Sequence, residues 1–346
     1  MHKKSRKGNQ IKIIGILVII AVVVLTGFAL WKIQSSSASP TIDSEQTEQG
    51  GEAVEGDVNW NGKWYNYNTH LSNYLFMGVD NREKVETNTG HANAGQSDAI
   101  YLVAWDRVKK TATTISIPRD TITEIETFGP GGESLGKTKD HISLSYAYGD
   151  GKYKSCELTK EAVSNLFYGL SIQGYCSLNM DGLPVLTESV GGVTVTVPND
   201  SLESKYPEFK KGTQVTLTKE TTEPFVRYRD TTVSQSAITR MERQQTFISA
   251  FGEVARKKFS EDPGFVTKLY SDLEPYMVTN MGADDFSKAL QGMNSEESEN
   301  SWTVPGKGVE GEDYDEYIVD DDALYEKIIE TFYTCLLYTS DAADEE

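Results

Sequence analysis

The run IIGILVIIAVVVLTGFALW at 13–31 holds no charged side chain, and it limits what this chain can fold into more than any other feature. A helix of about 20 apolar residues crosses the hydrocarbon core of a bilayer, whereas a helix packed on a soluble domain keeps one polar face. Lys3, Lys4, Arg6, Lys7 and Lys12 precede the run, and such charges stay on the cytoplasmic side. The expectation is a cytoplasmic tail at 1–12, a single membrane-spanning anchor at 13–31, and a C-terminal domain outside the cell, held at the cell membrane. A cleavable signal peptide is the competing reading. Its apolar core is about 7–15 residues and ends in small side chains. Here Trp31 and Lys32 follow the run directly, as an interfacial anchor does.

Residues 32–59, which contain QSSSASPTIDSEQTEQGGEAVEGD, are polar and acidic and read as a flexible linker. The folded region expected after it spans 60–334. From Cys335 the text CLLYTSDAADEE breaks the preceding helical pattern and resembles a translated adaptor read-through, so 335–346 is set aside as a non-native tail.

Inside the folded region, YLFMGVD at 74–80, SDAIYLVAW at 97–105 and TATTISI at 111–117 read as buried strands, the last stopped by Pro118. Leu158, Ala162, Leu166 and Phe167 place a helix over 156–168, with Gly169 as its stop. A strand near 174–180, a helix after Asp181 closed by Gly191–Gly192, and the strand VTVTV at 193–197 follow. FVRYR at 225–229 reads as a further strand, and 238–259 as an amphipathic helix on Ile238, Met241, Ile248, Phe251, Ala255 and Phe259. SWTVPGKG and YIVDDDALYEKIIETFY supply a closing strand and helix. Strands alternating with helices imply a three-layer α/β domain.

Acidic residues outnumber basic ones by 52 to 33, which argues against nucleic acid as a partner, since that needs a broad positive field. Cys156 and Cys176 are either a disulfide, which an extracytoplasmic setting tolerates, or two separately buried thiols. The four histidines form no ligand pattern.

Charge gathers at strand ends: GVDNR at 78–82, SIPRD at 116–120 and RYRD at 227–230, joined by SD at 97–98 and RMERQQ at 240–245. Open α/β sheets bind ligands beyond the carboxyl ends of their strands. On a strand, Arg227 and Arg229 share one face and need an anion between them, either cross-strand carboxylates or a ligand. Arginine's planar fork grips phosphate bidentately, and Arg82, Arg119, Arg227, Arg229 and Arg240 could surround one pyrophosphate. Asp80 and Asp98 suit a hard cation, because Mg²⁺ takes one or two carboxylates plus phosphate oxygens and water. These are the parts of a phosphoryl-transfer site. Each also has an ordinary reading: Asp80 and Asp98 as turn caps, Arg119 as a strand exit, Gln244 and Gln245 as a solvated helix face, and Asp230 as the partner of an arginine.

Taken in order, NYLFMGVDNR, SDAIYLVAWDRVKKTATTISIPRDT, ESVGGVTVTVP and FVRYRD…RMERQQ resemble the LytR–CpsA–Psr family, as does the layout of tail, span and outer domain. The resemblance implies an α/β/α fold around a central mixed sheet. It also implies a phosphotransferase that moves an anionic glycan, such as teichoic acid or capsular polysaccharide, from a polyprenyl-pyrophosphate carrier to peptidoglycan. Carried over residue by residue, Asp80 and Asp98 hold Mg²⁺ (or Mn²⁺) and act in catalysis with Arg119. Arg82, Arg119, Arg227, Arg229 and Arg240 bind the pyrophosphate with Gln244 beside them, and an apolar tunnel fed by the strands and the 156–168 helix holds the polyprenyl tail. Two positions depart from the family's pattern: Gln96 stands where an arginine is frequent, and Ala237 where an aspartate is. Their joint loss is compensatory if the two normally pair. The alternatives are a non-catalytic binder of lipid-linked wall precursors and a pyrophosphatase acting on the same lipid.

Overall fold

In the computed structural model, residues 57–81, 95–292, 301–311 and 314–336 are described, all within the unit Val54–Glu346. The expected tail, anchor and most of the linker lie outside the described residues, as do Arg82 and 337–346. Among the described residues no helix is long and apolar enough to cross a membrane.

Along the chain run β1 (Val58–Trp60), β2 (Lys63–Tyr67), β3 (Leu71–Val79), β4 (Ser97–Asp106), β5 (Thr111–Ile117), β6 (Ile122–Phe128), β7 (Ser134–His141), α1 (Leu144–Ala147), α2 (Tyr153–Leu166) and β8 (Gly174–Asn179). They continue with α3 (Gly182–Val190), β9 (Val193–Thr196), β10 (Gln214–Leu217), α4 (Thr222–Arg227), α5 (Ser236–Glu261), α6 (Phe265–Leu273), β11 (Met277–Thr279) and α7 (Ala283–Gly292). The last described elements are β12 (Trp302–Thr303), β13 (Gly306–Glu310), β14 (Asp315–Val319), α8 (Asp321–Phe332) and β15 (Tyr333–Cys335).

The apolar runs pair into a six-stranded sheet ordered β11-β8-β3-β4-β5-β12. It is mixed: β3 runs antiparallel to β4 and β4 to β5, while β8 lies parallel to β3 and β12 parallel to β5. Side chains alternate across a strand, and β4 sends them to two cores. Ile100, Leu102 and Ala104 join Tyr146, Val163, Leu324 and Phe332 under α1, α2 and α8. Val103 and Trp105 join Val190, Phe225, Phe247, Leu269 and Phe286 under the helices α3 to α7, and Tyr101, on the same face, lines a cavity there. Because both faces of β4 are covered, its sequence from Ala99 to Trp105 is continuously apolar rather than alternating.

The ends of the helices follow local chemistry. Helix α3 stops where Gly191 takes φ +80 and its N–H reaches back to the Glu188 carbonyl, a left-handed cap that glycine adopts without Cβ strain. Helix α2 spans Tyr153–Leu166, three residues earlier at its start than its apolar spacing indicates. The thiols of Cys156 and Cys176 are unpaired. They belong to the two different cores, on opposite faces of the sheet, so the separately buried reading holds.

FVRYR is not a strand. Thr222–Arg227 forms the helix α4, and Tyr228 leaves it with ψ 134. Pro224 sits in the first turn, where a missing N–H costs nothing because those donors lack helical partners anyway. The Thr222 hydroxyl donates to the Thr218 carbonyl at 2.7 Å and fixes the entry to the helix. Arg227 therefore ends a helix while Arg229 lies beyond it, and the two are not same-face neighbours on a sheet. Outside the central sheet, β15 pairs with β2, placing Cys335 opposite Tyr65.

Candidate functional site

One edge of the central sheet gathers the charged motifs. The carboxyl ends of β3 and β8 meet there, since Val79 pairs with Asn179. The end of β5 joins them, since Ile117 pairs with Ile100 near the start of β4. Because β4 runs the other way, its second residue, Asp98, shares this edge with Asp80, which follows β3. A register shift between Gly78 and Val79 kinks the pairing just before Asp80, and bulges commonly re-aim side chains at such places.

Asp98 is the hub. Its Oδ1 accepts from Nη1 of Arg119, and its Oδ2 accepts from Nη1 of Arg240 at 2.9 Å. Arg119 is held on its remaining sides, with Nε donating to Asp120 at 3.0 Å and Nη2 to the side-chain oxygen of Gln96. Gln96 thus uses a neutral acceptor on Arg119, and Ala237 lines a small pocket beside Tyr101, Arg119 and Gln244. Arg240 differs from Arg119. It is 4% exposed, and its Nε and Nη2 have no hydrogen-bond partner among the described residues. Burial is the main cause lowering its pKa; the Asp98 carboxylate opposes this, and the Arg119 and Arg229 charges add to it.

Arg227 donates from Nη2 to Asp80 at 2.9 Å and from Nη1 to Glu223 at 3.4 Å, one helical turn back. Arg229 is half-buried and makes no hydrogen bond or ion pair among the described residues, though its charge reaches Arg240. Asp230 holds no arginine among the described residues: its carboxylate accepts from the backbone N–H and hydroxyl of Thr232 at 2.9 and 2.6 Å. Arg82 lies outside the described residues.

Gln244 and Gln245 do not form a solvated face. Gln244 is buried and donates Nε2 to the Val226 carbonyl at 3.2 Å, while Gln245 reaches Thr303 at 3.2 Å. Its neighbour Arg243, which sequence reasoning overlooked, is the most enclosed cation. It is 1% exposed, and burial, with the Arg240 charge behind it, pushes its pKa down to about 10. Its Nε donates to the Phe225 carbonyl at 2.8 Å, its Nη2 to the Tyr228 carbonyl and its Nη1 to the Ser201 hydroxyl. The last carbonyls of a helix have no partner within it. Arg243 and Gln244 supply partners for α4, and in doing so fix the segment that carries Arg227 and Arg229.

Beneath Arg240 and Arg227 lies a cavity of about 180 Å³ whose walls are mostly apolar, among them Phe76, Leu178, Leu183, Leu186, Phe247 and Phe251. The sheet and helices α3, α5, α6 and α7 supply these walls. Helix α2, expected from its apolar spacing to contribute, packs on the opposite face. A charged mouth over an apolar cavity accommodates an amphiphile with an anionic end.

A hard cation at the mouth would draw on two carboxylates, Asp80 and Asp98, the latter with one oxygen already on each of Arg119 and Arg240. Asp80 accepts from Arg227 through Oδ1 only, leaving Oδ2 open among the described residues. No group of three or more His, Cys, Asp or Glu side chains among those residues could hold a metal alone, so phosphate oxygens and water would have to fill the remaining positions.

Fold and site together define a class: a mixed-sheet α/β domain whose strand edge carries clustered arginines over an apolar cavity. The LytR_cpsA_psr family matches residues 31–331, and the chain belongs to that family. A polyisoprenyl-teichoic acid–peptidoglycan teichoic acid transferase TagU from Halalkalibacterium halodurans is 36% identical over 121 residues, which cover 35% of this chain and 33% of the relative. The TagU of Oceanobacillus iheyensis is 28% identical over 251 residues, 72% of this chain and 70% of that one. The chain spans about a third to about a half of the length of the first curated relatives it matches. The crystal structure of Bacillus subtilis TagV shares the fold, with TM-score 0.56 and 23% identity over 76% of this chain and 98% of that one.

Proposed function

We propose that the chain is a membrane-anchored phosphotransferase, held by 13–31 with its N-terminus in the cytoplasm. It moves an anionic glycopolymer from a polyprenyl-pyrophosphate carrier to peptidoglycan. The observation that carries this reading is Arg240: two buried guanidinium donors, unpartnered among the described residues, above an apolar cavity. Buried donors are paired almost everywhere in proteins, so these two require an acceptor, and the cavity beside them sets its chemistry as an anion on an apolar chain. The named activity of the TagU relatives supports the reaction class.

In this reading the polyprenyl tail enters the cavity and its pyrophosphate meets Arg240, Arg227 and Arg229. A hydroxyl of the acceptor sugar attacks the glycan-side phosphorus. The new O–P bond forms as the bond to the bridging oxygen breaks, and polyprenyl phosphate leaves. The hydroxyl proton passes to solvent on the Asp80 side, where that side chain is 42% exposed. Asp98 holds the Arg240 and Arg119 guanidinium groups in place, so their charge faces the phosphates without reorganisation. Asp80 and Asp98 would hold Mg²⁺ or Mn²⁺, which neutralises phosphate charge when bound.

To test this, the full chain in detergent is given a polyprenyl-pyrophosphoryl oligosaccharide, Mg²⁺ and a peptidoglycan fragment, and products are read by mass spectrometry. A phosphodiester-linked conjugate is expected. Free carrier phosphate with water as the sole acceptor would make the chain a pyrophosphatase. The three protein partners of Arg119 favour a second reading, carrier binding without transfer, and binding with no conjugate would establish it.

A further inference from the structure

We propose that the Tyr101 hydroxyl is a carrier-binding group that fixes how deeply the apolar chain sits below its phosphates. This rests on the carrier reading of the site. Tyr101 lies on β4 opposite Phe76 of β3 and Ser116 of β5, on the same sheet face as Val103. The residue is 4% exposed and lines the cavity that Arg240 and Gln244 close. Its hydroxyl, like Nε and Nη2 of Arg240, has no hydrogen-bond partner among the described residues.

The three unpartnered groups belong together. The hydroxyl is close enough to Arg240 to feel its charge, and burial keeps the phenol protonated well above its ordinary range. It is therefore a donor, on the wall of the cavity that Arg240 also lines. A phenylalanine would fill the same wall without burying an unsatisfied O–H, which is costly. The geometry thus provides a neutral donor below a cationic one, and a phosphate oxygen at the end of an apolar chain accepts from both. The uncharged alcohol of the same chain offers no such anion.

The test compares wild type with Tyr101→Phe in the full chain, using farnesyl pyrophosphate, farnesyl monophosphate and farnesol as probes in isothermal titration. Tyr101→Phe should weaken both phosphates about tenfold or more, as expected for a lost hydrogen bond to a charged group. It should leave farnesol affinity and the melting temperature unchanged or raised. Equal weakening for farnesol, or undiminished binding of the phosphates, overturns the proposal: Tyr101 would then be cavity wall only. If wild type binds neither phosphate, the carrier reading itself falls, an outcome distinct from a variant that binds them as well as wild type.

Discussion

A single carboxylate joins two arginines from distant parts of the chain, and the consequences of its removal follow from burial. The side chain of Asp98 is 14% exposed and that of Arg240 5%. Asp98→Asn would leave the buried Arg240 facing Arg119 without its carboxylate, while Arg119 keeps only Asp120. Uncompensated buried charge of this kind costs on the order of 3 kcal/mol, so urea denaturation should show a loss of about that size along with lost transfer. Arg243 gives a different kind of prediction. Arg243→Lys keeps the charge but replaces a three-way fork by a point donor. The α4 carbonyls lose partners, and stability should fall by about 2 kcal/mol. Carrier affinity should fall as well, although Arg243 meets no ligand in the proposed site. The thiols titrate in the opposite sense from the arginines. Burial pushes Cys156 and Cys176 up from 9.0 to about 12. Above pH 9 the unfolded chain sheds these protons while the folded chain keeps them, so their contribution to stability declines as pH rises from 9 toward 12. Alkylation by iodoacetamide at pH 8 should accordingly be slow for both until the protein unfolds.

Elements were legible in the sequence where burial is two-sided and long. The runs at 74–80 and 97–105 became β3 and β4, as continuous apolar stretches covered on both faces do, and the β-branched run at 111–117 became β5. FVRYRD misled for a physical reason: six residues that mix apolar and charged side chains suit a short helix as well as a strand. Here the deciding contacts come from Arg243 and Gln244, 18 residues on. The hairpin β6–β7 left no sequence signal, since β7 is exposed along most of its length and its own ladder, not an apolar face, holds it to β6. At the site, Asp80, Asp98, Arg119 and Arg240 were readable from their positions at strand ends and on one helix. The division of labour between Arg240 and Arg243 was not, because residues three apart on a helix share a face and sequence does not say which guanidinium meets backbone. The cavity offers a test at this scale. Leu186→Trp, on α3, should fill it, lowering affinity for a polyprenyl carrier about tenfold or more while leaving the melting temperature equal or higher, as checked by titration and calorimetry.

At the scale of the molecule, one sheet divides two cores of different purpose. The core under α1, α2 and α8 is close-packed around Leu75, Leu102 and Ile115, and Leu102→Ala there should cost about 2–5 kcal/mol in denaturation without altering the mouth. The core under α3 to α7 holds the cavity, and part of its apolar surface faces space rather than side chains. Packing contacts are what hold such regions closed. Each core also carries one thiol, Cys156 in the first and Cys176 in the second. The pair therefore forms a built-in clock for unfolding. Pulse-labelling at rising denaturant would show which thiol opens first, and the looser side of the sheet predicts that Cys176 does.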